Sequence, residues 1–143
     1  MENLKVKIKT IDDGTLPEYK RIGDVCMDCK ARLSQSISIP AHSRCLVNLG
    51  FALELPEGYE AVIRPRSGLS FKAIDVQIGT IDMNYRGEVK ACVVNNTDGP
   101  YDVNPGDRIC QLAIREAPRV VWDVVSELSD TVRGESGFGS SGL

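Results

Sequence analysis

The sequence predicts an all-β fold, and three observations predict it. Apolar and polar residues alternate over short runs such as KVKIKTI (5–11) and EAVIRPR (60–66), which is the two-residue period of a half-buried strand. Turn-forming residues separate the runs, as in NNTDGP (95–100). Helical periodicity is nearly absent, and only one short turn is predicted, within LSFKAI (69–74). Many short strands at close spacing are typical of a sandwich or a barrel.

The other predicted strands are apolar or alternating runs that turn residues bound. IGTIDMNYRGEV (78–89) is predicted to form two short strands with a turn between them. The acid Asp82 lies in the apolar part of this run, where a strand would ordinarily carry Val or Ile. The remaining predicted strands are SISIP (36–40), CLVNLGFALEL (45–55), GEVKACVVN (87–95), DRICQLAI (107–114) and RVVWDVV (119–125).

The bulk composition limits the classes of protein that fit. The 143 residues correspond to one domain, 42% of them hydrophobic and 26% charged. A net charge of -3 argues against a stable nucleic-acid partner but permits an anionic small ligand, because local arginines can invert the field at one site. The N-terminal stretch has no apolar core typical of a signal peptide, and no run approaches 18 apolar residues. We therefore expect no membrane span.

Cysteine and histidine usage favours a reduced protein without a nucleophilic triad. The cysteines at 26, 29, 45, 92 and 110 are odd in number and lie mostly in apolar runs, as expected of reduced thiols in a cytosolic protein. The single histidine, at position 42, is predicted at the surface because no nucleophile lies near it in the sequence. An enzyme of this composition that acts on an anion would use carboxylates, arginines, backbone amides and Mg²⁺.

Three stretches carry polar residues in unusual places. RPRSGLS (64–70) has a turn composition that can bind an anion through its amides, although many ordinary loops look alike. Gln111 is flanked by Cys110 and Leu112 in a predicted strand. The C-terminal RGESGFGSSGL (133–143) is rich in Gly and Ser, a composition that by itself predicts a disordered tail.

Taken together, five motifs in this order resemble the trimeric deoxyuridine triphosphatases (dUTP pyrophosphatases) over nearly the whole chain. Val25-Cys26 and Asn84 depart from the residues that are commoner in the family. The motifs are DVCMDCKA (24–31), RPRSGLS (64–70), GTIDMNYRGEV (79–89), PGDRICQL (105–112) and RGESGFGSSG (133–142).

The resemblance implies a β-clip, jelly-roll-like distorted barrel over residues 1–132 and a flexible C-terminal arm over residues 133–143. The arm would close over the site of a neighbouring subunit in a homotrimer whose active sites are shared. The implied reaction is Mg²⁺-assisted hydrolysis of dUTP to dUMP and pyrophosphate. This reaction lowers dUTP and supplies dUMP for dTTP synthesis in the cytoplasm, or in the host cytoplasm for a phage or a virus.

The resemblance also implies a role for each residue of the nucleoside-binding motif. Asp82 is similar to the general base that holds and deprotonates the attacking water. Tyr85 matches the tyrosine on which the deoxyribose stacks, which leaves no room for a 2′-hydroxyl and so excludes UTP. A hairpin from Gly79 to Lys90 would present main-chain groups to uracil, and a tight pocket would exclude the 5-methyl group of dTTP. The implied uracil contacts are Gln77, Gly79, Thr80, Ile81 and Lys90.

The other motifs resemble the family's phosphate-binding residues. Asp28 resembles an Asp near the metal and would act through water on a Mg²⁺ that the triphosphate mainly holds. Gln111 resembles a glutamine that positions water or phosphate. Arg66, Ser67 and Gly68 resemble the phosphate-binding turn. In the arm, Arg133 resembles the arginine on the γ-phosphate, Phe138 the ring over uracil, and Gly139 and Ser140 the groups that wrap the phosphates.

Two other interpretations of the resemblance, and one of composition alone, stay open. A dCTP deaminase has the same fold, but it would need a glutamate-centred deamination site in place of Tyr85 and the Phe138 arm. A nucleotide-gated regulatory binding protein would keep the motifs and act on a protein partner. A structural β-rich protein fits the composition but leaves Asp82, Tyr85 and Phe138 without a purpose.

Overall fold

The computed structural model describes residues 2–142, and its regular structure is almost entirely β. Within that range no helix has the length and apolar character needed to cross a membrane. The strands are β1 (Lys7–Thr10), β2 (Met27–Lys30), β3 (Ile37–Ile39), β4 (Ser43–Asn48), β5 (Phe51–Glu54), β6 (Tyr59–Arg64), β7 (Ile74–Val76), β8 (Gly79–Ile81), β9 (Lys90–Asn95), β10 (Tyr101–Val103) and β11 (Arg108–Glu116), and the one helix of this range is α1 (Ser67–Phe71).

The strands pair only in antiparallel fashion and form four small sheets. The largest has the order β2-β11-β6-β8, and a three-stranded sheet has the order β4-β9-β7. Two further pairs, β1-β5 and β10-β3, complete the architecture. Across residues 2–142 no sheet closes on itself, so the all-β prediction is confirmed in an open form rather than as a closed barrel.

One apolar core lies between the sheets. β6 buries three successive residues, Ala61, Val62 and Ile63, because the sheet that contains it is covered on both faces at this point. Asn95 is the one polar side chain that is fully buried among the described residues, and its amide donates to the carbonyls of Ile39, Pro40 and Gly99. These bonds satisfy the buried amide and tie the β3–β4 connection to the β9–β10 connection at the end of β9.

Two sequence predictions are corrected by the structure. CLVNLGFALEL (45–55) forms two strands, because the run is interrupted at Gly50, whose φ of +79° suits a residue without a side chain. RVVWDVV (119–125) forms no strand, and its Trp122 is 85% exposed. The apolar pattern was present, but no other segment of residues 2–142 pairs with its backbone, and an unpaired strand leaves its N–H and C=O groups without partners.

Candidate active site

A cleft with an excess of basic side chains opens beside the turn from β6 to α1, and we call it the cationic cleft. Its volume is about 790 Å³. Five of its side chains are basic and two are acidic, so the local charge is positive although the whole chain is acidic. The lining residues are Lys20, Arg21, Asp24, Val25, Cys26, Asp28, Arg66, Ser67, Gly68, Leu69, Lys72, Arg108 and Gln111.

Asp28 organises the arginines of the cationic cleft. Arg66 Nε donates to Asp28 Oδ1 at 3.1 Å, and Arg108 Nη1 lies 3.3 Å from Asp28 Oδ2. Arg66 Nη1 also donates to the carbonyl oxygen of Arg108 at 2.9 Å. The Asp28 side chain is only 13% exposed, and a largely buried carboxylate between two guanidinium groups holds both in one orientation. The remaining guanidinium N–H groups are therefore placed in advance for an anion.

Gln111 and the start of α1 supply the polar groups of the same cleft. Gln111 lies opposite Asp28 in the β2-β11 register, and its Nε2 donates to the Pro65 carbonyl at 2.8 Å. The side-chain oxygen of Gln111 has no hydrogen-bond partner within residues 2–142. The N–H groups of Ser67 and Gly68, in the first turn of α1, have no intrahelical acceptor, and no side chain caps them, so they are available to an anion. Asp28, Gln111 and the Arg66–Gly68 turn thus line one cleft, without the arm residues that were also predicted to bind phosphate.

A second, smaller cleft lies between β8 and β9, and we call it the neutral cleft because six of its nine lining residues are uncharged. Its volume is about 240 Å³. β8 is an edge strand that pairs with β6, whereas β9 belongs to the other large sheet. The segment from Gly79 to Lys90 is therefore not a paired hairpin, and its two strands diverge around the cleft. The lining residues are Ile63, Gly79, Thr80, Ile81, Asp82, Tyr85, Glu88, Val89 and Lys90.

Tyr85 stands at the rim of the neutral cleft with its ring in a defined position. Its hydroxyl donates to the Glu88 carbonyl at 3.2 Å, and its N–H donates to the Asp82 carbonyl at 3.1 Å. A Cβ added to Gly87 would lie 2.5 Å from the ring carbon Cζ, so only glycine at position 87 allows this placement. Side-chain and backbone contacts together hold the ring over the loop.

Asp82 is exposed and lies in the turn directly after β8, not inside a strand. This corrects the interpretation of the sequence, which places the acid inside a strand. Within residues 2–142 the Asp82 carboxylate has no hydrogen bond and no ion pair, so it is free to accept a proton from a bound water. The turn chemistry explains the acid better than strand propensity does.

The residues predicted in the C-terminal arm and at position 77 lie apart from both clefts. Arg133 Nε donates to the Ser136 carbonyl at 2.8 Å, within the arm itself. Phe138 is fully exposed and has a φ of +52°, and Gly139 follows with a φ of +85°. Ser140 is exposed as well, and the N–H of the exposed Gln77 donates to Cys92. None of these side chains lines a cleft with Asp82 or Arg66 in this chain.

The fit of a magnesium ion can be tested on the donor set. Residues 2–142 contain no group of three His, Cys, Asp or Glu side chains placed to hold a metal. The carboxylate oxygens of Asp28 are engaged by Arg66 and Arg108. These side chains do not form a cage for direct coordination, whereas a Mg²⁺ chelated by phosphates keeps several waters and needs no cage. Asp28 therefore fits a water-mediated contact with a phosphate-bound Mg²⁺ and does not fit direct coordination of the ion.

Cys29, the second cysteine of CMDC, is structural in this geometry. Cys29 lies opposite Cys110 in the β2-β11 register, and both are buried. The hydrogen bond with Cys110, together with burial, raises the pKa of the Cys29 thiol far above its usual range. A thiol that stays protonated is a poor nucleophile and a poor metal ligand. All five cysteines are free, in agreement with the prediction of reduced thiols.

Several cationic residues of the site were missed in the sequence. Arg108 lies in the motif PGDRICQL, where the resemblance implies no role for it, and the structure pairs it with Asp28. Lys20, Arg21 and Lys72 line the cationic cleft from a loop and from the end of α1. Only the PGDR motif gave a signal, because lysines in loops are too common to single out.

Comparison with known proteins agrees with this geometry. Residues 12–142 match the dUTPase family model. The deoxyuridine 5′-triphosphate nucleotidohydrolase of Rickettsia prowazekii is 43% identical over 148 residues, which cover 100% of each chain.

Two solved structures show the same jelly-roll-like fold. The Staphylococcus bacteriophage 80alpha dUTPase, solved with dUPNHPP, has a TM-score of 0.89 and 24% identity over 99% of this chain and 100% of that chain. A mutant dUTPase of the S. aureus phage phi11, described with a structural Mg(II) ion, has a TM-score of 0.80 and 20% identity over 89% of this chain and 100% of that chain. The family model and the Rickettsia relative each extend over nearly the whole chain, and on that evidence the protein belongs to the dUTPase family.

Proposed function

We propose that this protein is a dUTP diphosphatase that hydrolyses dUTP to dUMP and pyrophosphate, thereby lowering dUTP and supplying dUMP for dTTP synthesis. Family membership and the name of the Rickettsia relative support the reaction. The observation that carries the proposal is the free, exposed carboxylate of Asp82 at the rim of a cleft that also contains Tyr85. A general base and an aromatic ring on which a sugar can stack lie at the same rim, and this arrangement suits attack by water on a nucleotide.

The chemistry assigned to Asp82 is general-base catalysis. Its carboxylate accepts a proton from a water that attacks the α-phosphorus, and the bond to the β-phosphate oxygen breaks as pyrophosphate leaves. Strand β8 ends one residue earlier and fixes the start of the turn, so the carboxylate lies directly beside a rigid element. A bound Mg²⁺ would neutralise phosphate charge, mainly as an ion held by the triphosphate, with Asp28 reaching it through water.

Selectivity is assigned to the neutral cleft. β8 is an edge strand, so one side of its main chain has no partner strand within residues 2–142. We propose that Gly79, Thr80, Ile81 and Lys90 read the uracil edge there. Tyr85 stacks on the deoxyribose and excludes a 2′-hydroxyl. Exclusion by shape is the appropriate means against dTTP, because an attractive pocket discriminates a single methyl group only weakly. We also propose that Gln77 contacts uracil.

The triphosphate is assigned to the cationic cleft. Arg66 presents a guanidinium that Asp28 has oriented, and the N–H groups of Ser67 and Gly68 lie beside it. Gln111 has a free amide oxygen that can hold a water or orient a phosphate-bound group. Fixed donors of this kind stabilise the charge that develops on the phosphates without reorganising during the reaction.

The separation of the two clefts supports a homotrimer with shared sites. Among the described residues, no side chain lines both clefts, and the arm residues Arg133, Phe138, Gly139 and Ser140 line neither. One nucleotide must meet base, sugar and phosphate groups together, so we propose that the chains of a trimer combine their clefts. Residues 1–132 would form the body, and residues 133–143 the arm that closes over a neighbour's site. The five free cysteines are in keeping with a cytoplasmic enzyme, in a cell or in a phage- or virus-infected host.

The test of the function is pyrophosphate release from dUTP, dTTP, dCTP and UTP, each with Mg²⁺ and with EDTA. We expect release from dUTP alone and its loss with EDTA. Ammonia release from dCTP would identify the deaminase alternative. Absence of turnover with retained dUTP binding would indicate a nucleotide-gated binding protein, to be followed by a pull-down with and without dUTP.

Shared sites are tested by mixing two inactive variants. Asp82→Asn damages the neutral cleft and Arg66→Ala the cationic cleft, and the two preparations are unfolded and refolded together. If each site takes its clefts from different chains, some sites of a mixed trimer receive both intact clefts, and activity returns. Mixtures that stay inactive, although they contain mixed trimers, would place both clefts of a site on one chain.

A further inference from the structure

Glu88, at the end of the Tyr85 loop, is held at three points. Arg32 Nε and Nη2 donate to its two carboxylate oxygens, each at 2.8 Å, and the N–H of Gly50 donates to Oε2 at 2.9 Å. The side chains of Arg32 and Glu88 are only 21% and 14% exposed. A two-pronged pair with so little solvent access is stronger and more directional than an ordinary surface pair. None of the five motifs assigns a role to Arg32.

The anchor side of this pair is rigid. A Cβ on Gly50 would lie 2.5 Å from Gly14 Cα and 3.1 Å from Arg32 Cδ, so two backbones and the arginine stem are closely packed there. The N–H of Arg32 donates to the Asn48 carbonyl at 2.8 Å. Because the arginine is fixed at both its backbone and its stem, its guanidinium can hold Glu88 in one place.

The other side of the pair leads directly to Tyr85. The Tyr85 hydroxyl donates to the main-chain carbonyl of Glu88, and its ring lies over Gly87. The next residue, Val89, is bonded through its N–H to Phe51 and through its carbonyl to Leu49. The loop from Asp82 to Glu88 contains no strand, so Glu88 is the point at which its far end joins the body. A shift of Glu88 would move the surface on which the tyrosine rests.

We propose that Arg32 and Glu88 are a positioning pair that sets the height of the Tyr85 ring and thereby the discrimination between deoxyribose and ribose. The inference rests on the proposed function, in which Tyr85 excludes the 2′-hydroxyl. Arg32 touches no substrate and acts through Glu88. A lost pair lets the ring move outward, which admits the 2′-hydroxyl and weakens stacking on the correct sugar. A misplacement of about 1 Å is enough to change rates by up to about a hundredfold.

The experiment compares kcat/KM for dUTP and for UTP, both followed as pyrophosphate release, in the wild type and three variants. Arg32→Met keeps an apolar stem over Gly50 and removes both guanidinium donors to Glu88. Arg32→Lys restores one charged donor without the fork. Lys7→Met is the matched control, because Lys7 and Glu54 form an exposed pair at 3.1 Å in the neighbouring two-stranded sheet. The ratio of the two kcat/KM values is independent of the active fraction, so a partly unfolded preparation still gives an answer.

We expect Arg32→Met to lower the dUTP:UTP ratio by about tenfold or more, Arg32→Lys to fall between it and the wild type, and Lys7→Met to stay within about twofold. If the pair had only a structural role, its loss in Arg32→Met would lower the kcat/KM values for dUTP and UTP by the same factor. An unchanged ratio in Arg32→Met, or no detectable UTP turnover in either Arg32 variant, overturns the proposal. If Arg32→Met yields no folded protein, the ratio in Arg32→Lys decides. A wild type that does not hydrolyse dUTP refutes the proposed function instead, which is a separate outcome.

Discussion

The cationic cleft and the neutral cleft differ in what builds their walls. In the first, side chains make the surface, and Asp28 holds Arg66 and Arg108 through charge-assisted bonds. In the second, the edge of β8 and one ring make the surface, and the fixing contacts lie behind it, at Glu88 and Gly87. The first kind of site depends on residue identity, and the second depends on where the backbone runs. Substitutions in the two clefts should therefore change different kinetic parameters.

The largest effect is expected at the carboxylate of the neutral cleft. Asp82→Asn keeps the shape of the turn and removes the proton acceptor, so kcat should fall by about 10² to 10⁴ while dUTP binding is kept. Single-turnover kinetics and equilibrium binding of dUTP measure the two parts separately. The control is Asn84→Ala, two residues further along the same loop. A large loss of affinity with kcat intact would contradict the assignment of the base.

Deletion of residues 133–143 tests whether the clefts are sufficient without the arm. We expect kcat/KM to fall on the order of a hundredfold, because an unclosed site admits water and positions the nucleotide poorly. The body should stay folded, since residues 117–142 contribute no strand and no buried side chain. Circular dichroism and gel filtration check the fold and the assembly, and deletion of residues 141–143 alone is the control. A truncated protein with full activity would remove the arm from the mechanism.

A smaller effect is expected from a conservative change in the cationic cleft. Arg66→Lys keeps the charge but loses the fork that bonds Asp28 and the Arg108 carbonyl together. We expect KM for dUTP to rise about tenfold with a smaller change in kcat, measured by initial rates over a range of substrate. Arg44→Lys, on the exposed side of β4, should change neither parameter. Equal loss in kcat and kcat/KM would mean that Arg66 acts mainly in the transition state.

The same contrast explains how much was predictable from the sequence. The all-β class and the exposure of His42 follow from local patterns, and the structure agrees with them. The phosphate-binding role of the turn at Arg66 comes from the family resemblance and stays a proposal. Residues 119–125 have the pattern of a strand, but whether a strand forms depends on a partner that the pattern does not contain. Arg32 and Glu88 are 56 residues apart, and the sequence around neither residue predicts the pair. Contacts that position a backbone are made by the fold, so the support of the neutral cleft became visible only in three dimensions.

The smallest predicted effect concerns pH and the support of the neutral cleft. The hydrogen bonds from Arg32, aided by the N–H of Gly50, hold the pKa of Glu88 below its ordinary value of 4.5. A carboxyl whose pKa is lower in the folded state stabilises that state above its unfolded pKa, and this contribution is lost as the pH falls through the folded pKa. Between pH 7 and pH 3, the free energy of unfolding should therefore fall by about 1 kcal/mol more in the wild type than in Arg32→Met.

Urea unfolding at the two pH values, at one fixed protein concentration, measures this difference. The exposed Lys7→Met variant should behave as the wild type, because its ion pair is largely screened by solvent. Equal losses in the wild type and Arg32→Met would mean that the pair contributes no net stability. In that case a changed dUTP:UTP ratio in Arg32→Met would assign the pair to positioning alone. If the losses of unfolding free energy differ as predicted, the same pair both stabilises the fold and sets the selectivity of the neutral cleft.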